Sequence, residues 1–109
     1  MPTGHQRQHP ELPDYEELYE AALGFIADGG TYTPTEIRQT IAEVYEIPPE
    51  HLALRLDDGT PAFHNYVAHV LRRFTLDRFH IRQGHAENVI YTVTPTGMSA
   101  GQGVLANQA

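Results

Sequence analysis

Four arginines, Arg72, Arg73, Arg78 and Arg82, fall within eleven residues of a chain that has seven arginines and no lysine. A guanidinium presents a planar fork of donors that matches a phosphate or the edge of a guanine, so a cluster of this kind is chemistry for holding a polyanion. Asn65 and His69 stand upstream of the first pair. At helical pitch Asn65, His69, Arg72 and Arg73 spread over only about 100° of one face. From such a face Asn65 can pair with adenine, Arg72 or Arg73 with guanine or phosphate, and His69 with either. The alternative for all four is the ordinary solvated face of an amphipathic helix.

Other chemistries find no support. His64 and His69 are five residues apart, about 140° around a helix, and so cannot chelate one ion from one face. No His-Glu-x-x-His signature exists, and neither a metal nor another cofactor is expected. A nucleophile with its base, a P-loop and a Gly-rich dinucleotide turn are all missing. Asp57-Asp58-Gly59, a tight carboxylate pair, reads as a turn, so the chain is not expected to be an enzyme. With no cysteine, disulfide, zinc-finger, iron–sulfur and thiol chemistry drop out as well.

The charge balance speaks against a polyanion partner at first sight, since 14 carboxylates face 7 arginines for a formal charge of −7. Its distribution is uneven. Residues 1–60 hold twelve carboxylates against Arg7, Arg38 and Arg55, whereas residues 61–109 hold Asp77 and Glu87 against four arginines. His64, His69, His80 and His85 lie in the same basic region and would add charge below about pH 6.5.

The elements that must position these side chains are legible from caps and periodicity. Residues 1–10 have no apolar pattern and no h-region, so a mobile arm is expected, with no secretory signal and a cytoplasmic location by default. Asp14-x-x-Glu17 has capping-box spacing and predicts a helix over 14–28, with Tyr15, Leu18, Tyr19, Ala22, Leu23, Phe25 and Ile26 inward and Gly29-Gly30 as its stop. Thr33-Pro34-Thr35-Glu36 predicts a second helix over 34–46, burying Ile37, Ile41, Val44 and Tyr45. A turn or two of helix follows Pro49. Thr60-Pro61 repeats the cap-plus-proline start and opens a helix to Leu76 whose packed side is Phe63, Val67, Val70, Leu71 and Phe74. The period then changes to two. Phe79 and Ile81, then Val89, Tyr91 and Val93 beyond a turn, predict a β-hairpin with those residues inward. Arg82, and less directly Arg78 and His85, would then lie on or near the hairpin, with Glu87 at its tip; Arg78 has the alternatives of pairing with Asp77 or meeting the helix dipole. From Thr94 the chain is rich in glycine and small residues and reads as a frayed tail after a short capped turn. Tyr19, Tyr32 and Tyr66, at the margins of their stripes, are candidates for a homodimer interface.

Helix, helix, helix, hairpin is the order of a winged helix: mainly α with a small antiparallel β-hairpin (α+β), with a helix-turn-helix variant formed by the second and third helices. The expected organisation is an arm over 1–12, the domain over 13–97 and a tail over 98–109. Two runs carry a closer likeness. Leu54-x-x-x-Asp58-Gly59-x-Pro61-x-Phe63-x-Asn65-x-Val67-x-x-x-Leu71, followed by Tyr91-x-Val93-Thr94-x-x-Gly97, resembles the winged-helix domain at the N-terminus of Mrr-type restriction system proteins. The resemblance covers residues 14–97. It implies a DNA-binding module, which in full-length members serves a separate nuclease domain that these 109 residues do not contain. The family continues into another helix after the wing, where this chain reads as a tail.

The expectation is therefore a non-enzymatic protein that binds double-stranded DNA through Asn65, His69, Arg72, Arg73, Arg78 and Arg82, as a transcriptional regulator or a DNA-targeting accessory, with a homodimer to extend the surface. Its rival is a protein-interaction module that uses the acidic N-terminal half.

Overall fold

A computed structural model describes residues 9–85 and 88–108. It is mainly helical with a small three-stranded antiparallel sheet, an α+β arrangement. The elements run α1 (Tyr15–Ile26), β1 (Thr31–Tyr32), α2 (Pro34–Val44), α3 (Pro49–Leu52), α4 (Ala62–Leu76), β2 (His80–Gln83), β3 (Ile90–Val93) and α5 (Pro95–Gln108). No helix among the described residues is long and apolar enough to cross a membrane.

Both capping boxes form. Asp14 and Glu17 exchange backbone and side-chain bonds of 2.9 and 2.8 Å, and Thr33 and Glu36 do the same at 2.8 and 3.1 Å. Each satisfies two N–H groups that a helix start leaves without partners. The helix ends are equally specific. Ile47 N–H returns to Ala42 O while Glu46 N–H bonds Glu43 O, and Phe79 N–H returns to Phe74 O while Arg78 N–H bonds Thr75 O. These are Schellman ends, with Glu46 (φ 49°) and Arg78 (φ 61°) in the left-handed position that usually belongs to glycine. At the second, the accompanying hydrophobic contact is the pair Phe74–Phe79, ring centroids 5.5 Å apart.

Phe63, Val67, Val70, Leu71 and Phe74 of α4 are all buried against Leu18, Ala22 and Ile26 of α1 and Ile37 and Ile41 of α2 in one core. Several expectations need correction. Tyr15, the first residue of α1, is 45% exposed, and Val44 and Tyr45 close α2 on the solvent side because the Schellman turn ends the helix at that point. Thr60 does not cap α4. Its carbonyl accepts from Leu56 N–H at 2.8 Å and its own N–H donates to Asp58 Oδ1 at 2.9 Å, closing a tight loop, so the helix starts at Ala62 after Pro61. Tyr32 is a core residue rather than a margin for dimerisation, and Tyr19 packs edge-on against Phe74 at 5.4 Å. Leu12, assigned to the arm, is buried; residues 1–8 and Glu87 lie outside the described residues.

The largest correction is the tail, which is the helix α5, packed along α1. Thr94 Oγ1 accepts from Gly97 N–H at 3.1 Å and starts it. Gly97 and Gly101, one turn apart, are buried. A Cβ on Gly97 would overlap the Phe79 carbonyl, and one on Gly101 would overlap the carbonyl of Leu23 and the backbone of Ala27. The glycines that read as disorder are what lets two backbones touch.

The sheet has the order β1-β3-β2, with His80 opposite Val93 and Arg82 opposite Tyr91. Directly opposed residues share a face. The inward side of β2 is therefore His80 and Arg82, and Ile81, expected inside, is 56% exposed. The phase is opposite to that read from the apolar residues because the Schellman turn consumes Phe79 as helix packing and the strand begins at His80.

His80, 2% exposed, is held on both ring nitrogens. Thr75 Oγ1 donates to Leu71 O (3.1 Å) and so accepts from His80 Nε2 (2.8 Å), which leaves Nδ1 to accept from the Tyr32 hydroxyl (2.5 Å). The imidazole also stacks on Tyr91 with ring centroids 4.0 Å apart. Desolvation by burial, partly offset by the Leu71 carbonyl, pulls its pKa down to about 4. His80 is thus neutral in the fold and adds no positive charge to the basic region.

Two measurements check this packing. Gly101→Ala should destabilise the protein by about 2 kcal/mol or more in urea denaturation, whereas Gly103→Ala, which meets nothing within 4 Å, should stabilise it by roughly 0.5–1 kcal/mol; equal effects would mean that α5 is not docked on α1. The unfolded chain protonates His80 near pH 6.5 and the folded one only near 4, so its contribution is complete above pH 6.5 and is lost as the pH falls through that window. Wild-type stability should drop by about 2–3 kcal/mol between pH 7.5 and about 4.5. The drop should be much smaller in His80→Gln, and identical pH dependence in the two proteins would show that His80 is not a buried neutral group.

Candidate nucleic-acid interface

The exposed side of α4 divides at Arg72 and Arg73, which point about 100° apart at helical pitch. Arg73 turns towards α1. Its Nε donates to Asp77 Oδ2 at 2.8 Å, an exposed i,i+4 ion pair, and it borders a shallow hollow with Tyr15, Glu16, Tyr19 and Glu20. The carboxylate of Asp77, bonded to Nε, raises the Arg73 pKa. Asp77 is therefore not the partner of Arg78, whose place is the left-handed residue that ends α4, with its carbonyl accepting from Thr94 Oγ1 at 2.6 Å.

Arg72 turns the other way, into a cleft of about 470 Å³ between α2, α4 and the sheet. Arg82 reaches the same cleft from β2 because the strand carries it inward beside Tyr91. The third cation is Arg38 of α2, which sequence reasoning left out of the site. Nothing in its own helix distinguishes Arg38 from a solvated residue; only the packing of α2 and α4 on α1 brings it to the same cleft as Arg72 and Arg82. Burial lowers the pKa of Arg38 while the Tyr91 phenol raises it. Burial in turn raises the pKa of Tyr91, against a hydrogen bond from Arg82 and the charges of Arg82 and Arg38. Two guanidiniums, those of Arg82 and Arg38, therefore act on one phenol, and Arg72 lines the same cleft. No carboxylate among the described residues forms an ion pair with any of them.

Asn65 is half-buried in the first turn of α4 and His69 is exposed one turn later. Both lie on the face that continues from Arg72 towards the helix N-terminus, outside the cleft lining. His64 extends the basic surface only weakly, since partial burial and the charges of Arg38 and Arg55 lower its pKa. His85 is exposed in the connection between β2 and β3. Among the described residues no group of three or more histidines and carboxylates is arranged to hold a metal.

Acidic side chains gather elsewhere. Glu17, Glu20 and Asp14 act together on Tyr45, whose pKa is raised by burial and then by these three charges. The Tyr45 hydroxyl donates to Glu17 O at 3.0 Å, tying the end of α2 to the start of α1. The net charge of −7 thus conceals two surfaces of opposite character.

Comparison of the chain with protein-family models, with curated proteins and with solved structures finds no match in any of the three. The likeness to Mrr-type N-terminal domains rests on the residues quoted for it.

Proposed function

We propose that this chain is a winged-helix protein that binds double-stranded DNA and performs no chemistry of its own. The observation that carries the reading is the convergence of Arg38, Arg72 and Arg82, from α2, α4 and β2, on one cleft, with no ion pair to a carboxylate among the described residues. Three cations that a protein does not neutralise internally are available to replace the counterions of a phosphate backbone. Two further features support it. The order helix, strand, helix, short helix, helix and hairpin, with β1 beside β3, is compatible with a winged helix, and α5 stands where the Mrr-type resemblance implies a helix after the wing.

In this reading α4 enters the major groove. Asn65 and His69 face base edges, Arg72 stands at the groove wall, and β2 brings Arg82 to the flanking backbone or minor groove. Arg73 and Arg78 contribute less than their position in the sequence suggests, since one is paired with Asp77 and the other serves the end of α4. A single module of this size buries limited DNA surface, so a homodimer acting as a transcriptional regulator or DNA-targeting accessory is the natural form.

Anisotropy titrations of a random-sequence duplex between about 50 and 200 mM salt test the reading directly. Affinity should fall with salt. The pair Arg72→Ala with Arg82→Ala should flatten the log–log salt slope by about 2, at about 0.9 for each lost phosphate contact, while Arg73→Ala should leave it nearly unchanged. Absence of binding at the lower salt would overturn the assignment and leave a protein-interaction module that uses the acidic surface as the better account.

A further inference from the structure

The cleft between α2, α4 and β2 is larger and less polar than a backbone phosphate needs. Its volume of about 470 Å³ falls in the range of small-molecule sites, roughly 300–1,000 Å³. Its cations are Arg38, Arg72 and Arg82, and its apolar walls come from Pro34, Ala68, Leu71 and Leu76. Leu76 is 73% exposed. A bare phosphate would engage the guanidiniums and leave this wall in water. An anion that carries an apolar or planar body would use both halves of the site, burying area at about 25 cal/mol per Å² alongside charge-assisted hydrogen bonds.

We propose that this cleft is a binding site for a small organic phosphate, its anion held by Arg38, Arg72 and Arg82 and its body laid against Pro34, Ala68 and Leu76. The site itself does not depend on duplex binding. Competition between the two does rest on that reading, because Arg72 and Arg82 would serve both ligands; an organic phosphate in the cleft would then release the protein from DNA.

Amide chemical-shift titrations of the intact chain with phenyl phosphate and with inorganic phosphate, at equal ionic strength and a pH above the second phosphate pKa of about 6, test the site without DNA. Phenyl phosphate should bind about tenfold more tightly than inorganic phosphate, with shifts centred on α2, α4 and β2. Arg38→Gln should weaken both probes about tenfold. Leu76→Ser, a change at an exposed position that leaves the fold intact, should weaken phenyl phosphate towards the inorganic value and leave inorganic phosphate unchanged. Equal affinities for the two probes, no saturable binding of phenyl phosphate, or a Leu76→Ser protein that behaves as wild type would each overturn the proposal. If phenyl phosphate binds as described and duplex does not, the cleft stands and the DNA-binding reading falls; duplex binding with no response to phenyl phosphate gives the reverse.

Discussion

Tyr32, His80 and Thr75 are joined by hydrogen bonds that run from β1 through β2 to the Leu71 carbonyl of α4. Both ring nitrogens of His80 have a partner along this line, which is the condition for burying an imidazole without leaving a donor or acceptor unpaired, at about 1–3 kcal/mol for each one orphaned. Its geometric consequence reaches further than its energy. Side chains on a strand alternate, so fixing His80 inward also fixes Arg82 inward and Ile81 outward. Slipping the strand by one residue would bury Ile81, which looks better by hydrophobicity alone. It would also strand the Tyr32 and Thr75 hydroxyls and swing Arg82 away from Arg72. The basic cleft therefore depends on a buried histidine two residues away from its own arginine.

Charge is organised by the same packing. A formal balance of −7 predicts repulsion from nucleic acid if it is spread evenly, but a ligand about the size of this cleft senses charge within roughly a Debye length, about 8–10 Å at physiological salt. Arg38, Arg72 and Arg82 line the cleft with no carboxylate among its lining residues, while Asp14, Glu17 and Glu20 act on Tyr45 at the α1–α2 corner. Arg73 shows the opposite outcome. One residue along the helix, it meets Asp77 and becomes part of the protein's internal electrostatics.

What could be read from the sequence was whatever is settled within one helix. The capping boxes at Asp14 and Thr33, the buried stripe of α4 and the turn at Gly59 depend on neighbours a few residues away, and all are present. Features decided between elements were not legible. Arg38 looks like any helical arginine until α2 and α4 are both laid on α1. Gly97 and Gly101 carry the composition of a tail, and only the close approach of the Phe79 and Leu23 carbonyls reveals them as packing surfaces. The phase of β2 was misread because the apolar alternation was counted through Phe79, a residue that belongs to the end of α4. A positive φ at Arg78, where sequence statistics favour glycine, hid that boundary.

That boundary also explains why the hairpin is held so close to α4. The turn at Asp77–Arg78 leaves no loop between helix and strand: Phe79 packs back on Phe74, its carbonyl accepts from Thr94 N–H at 3.0 Å, and Arg78 O accepts from the Thr94 hydroxyl. The start of α5 is thereby bonded to the end of α4. Strand, helix end and following helix are locked at one point, so a displacement of the hairpin relative to α4 would break the Thr94 contacts, the His80 bonds and the seat of Gly97 together. The backbone positions that carry Arg72 and Arg82 consequently keep a fixed spacing before any ligand arrives, so binding has only the two side chains left to order there.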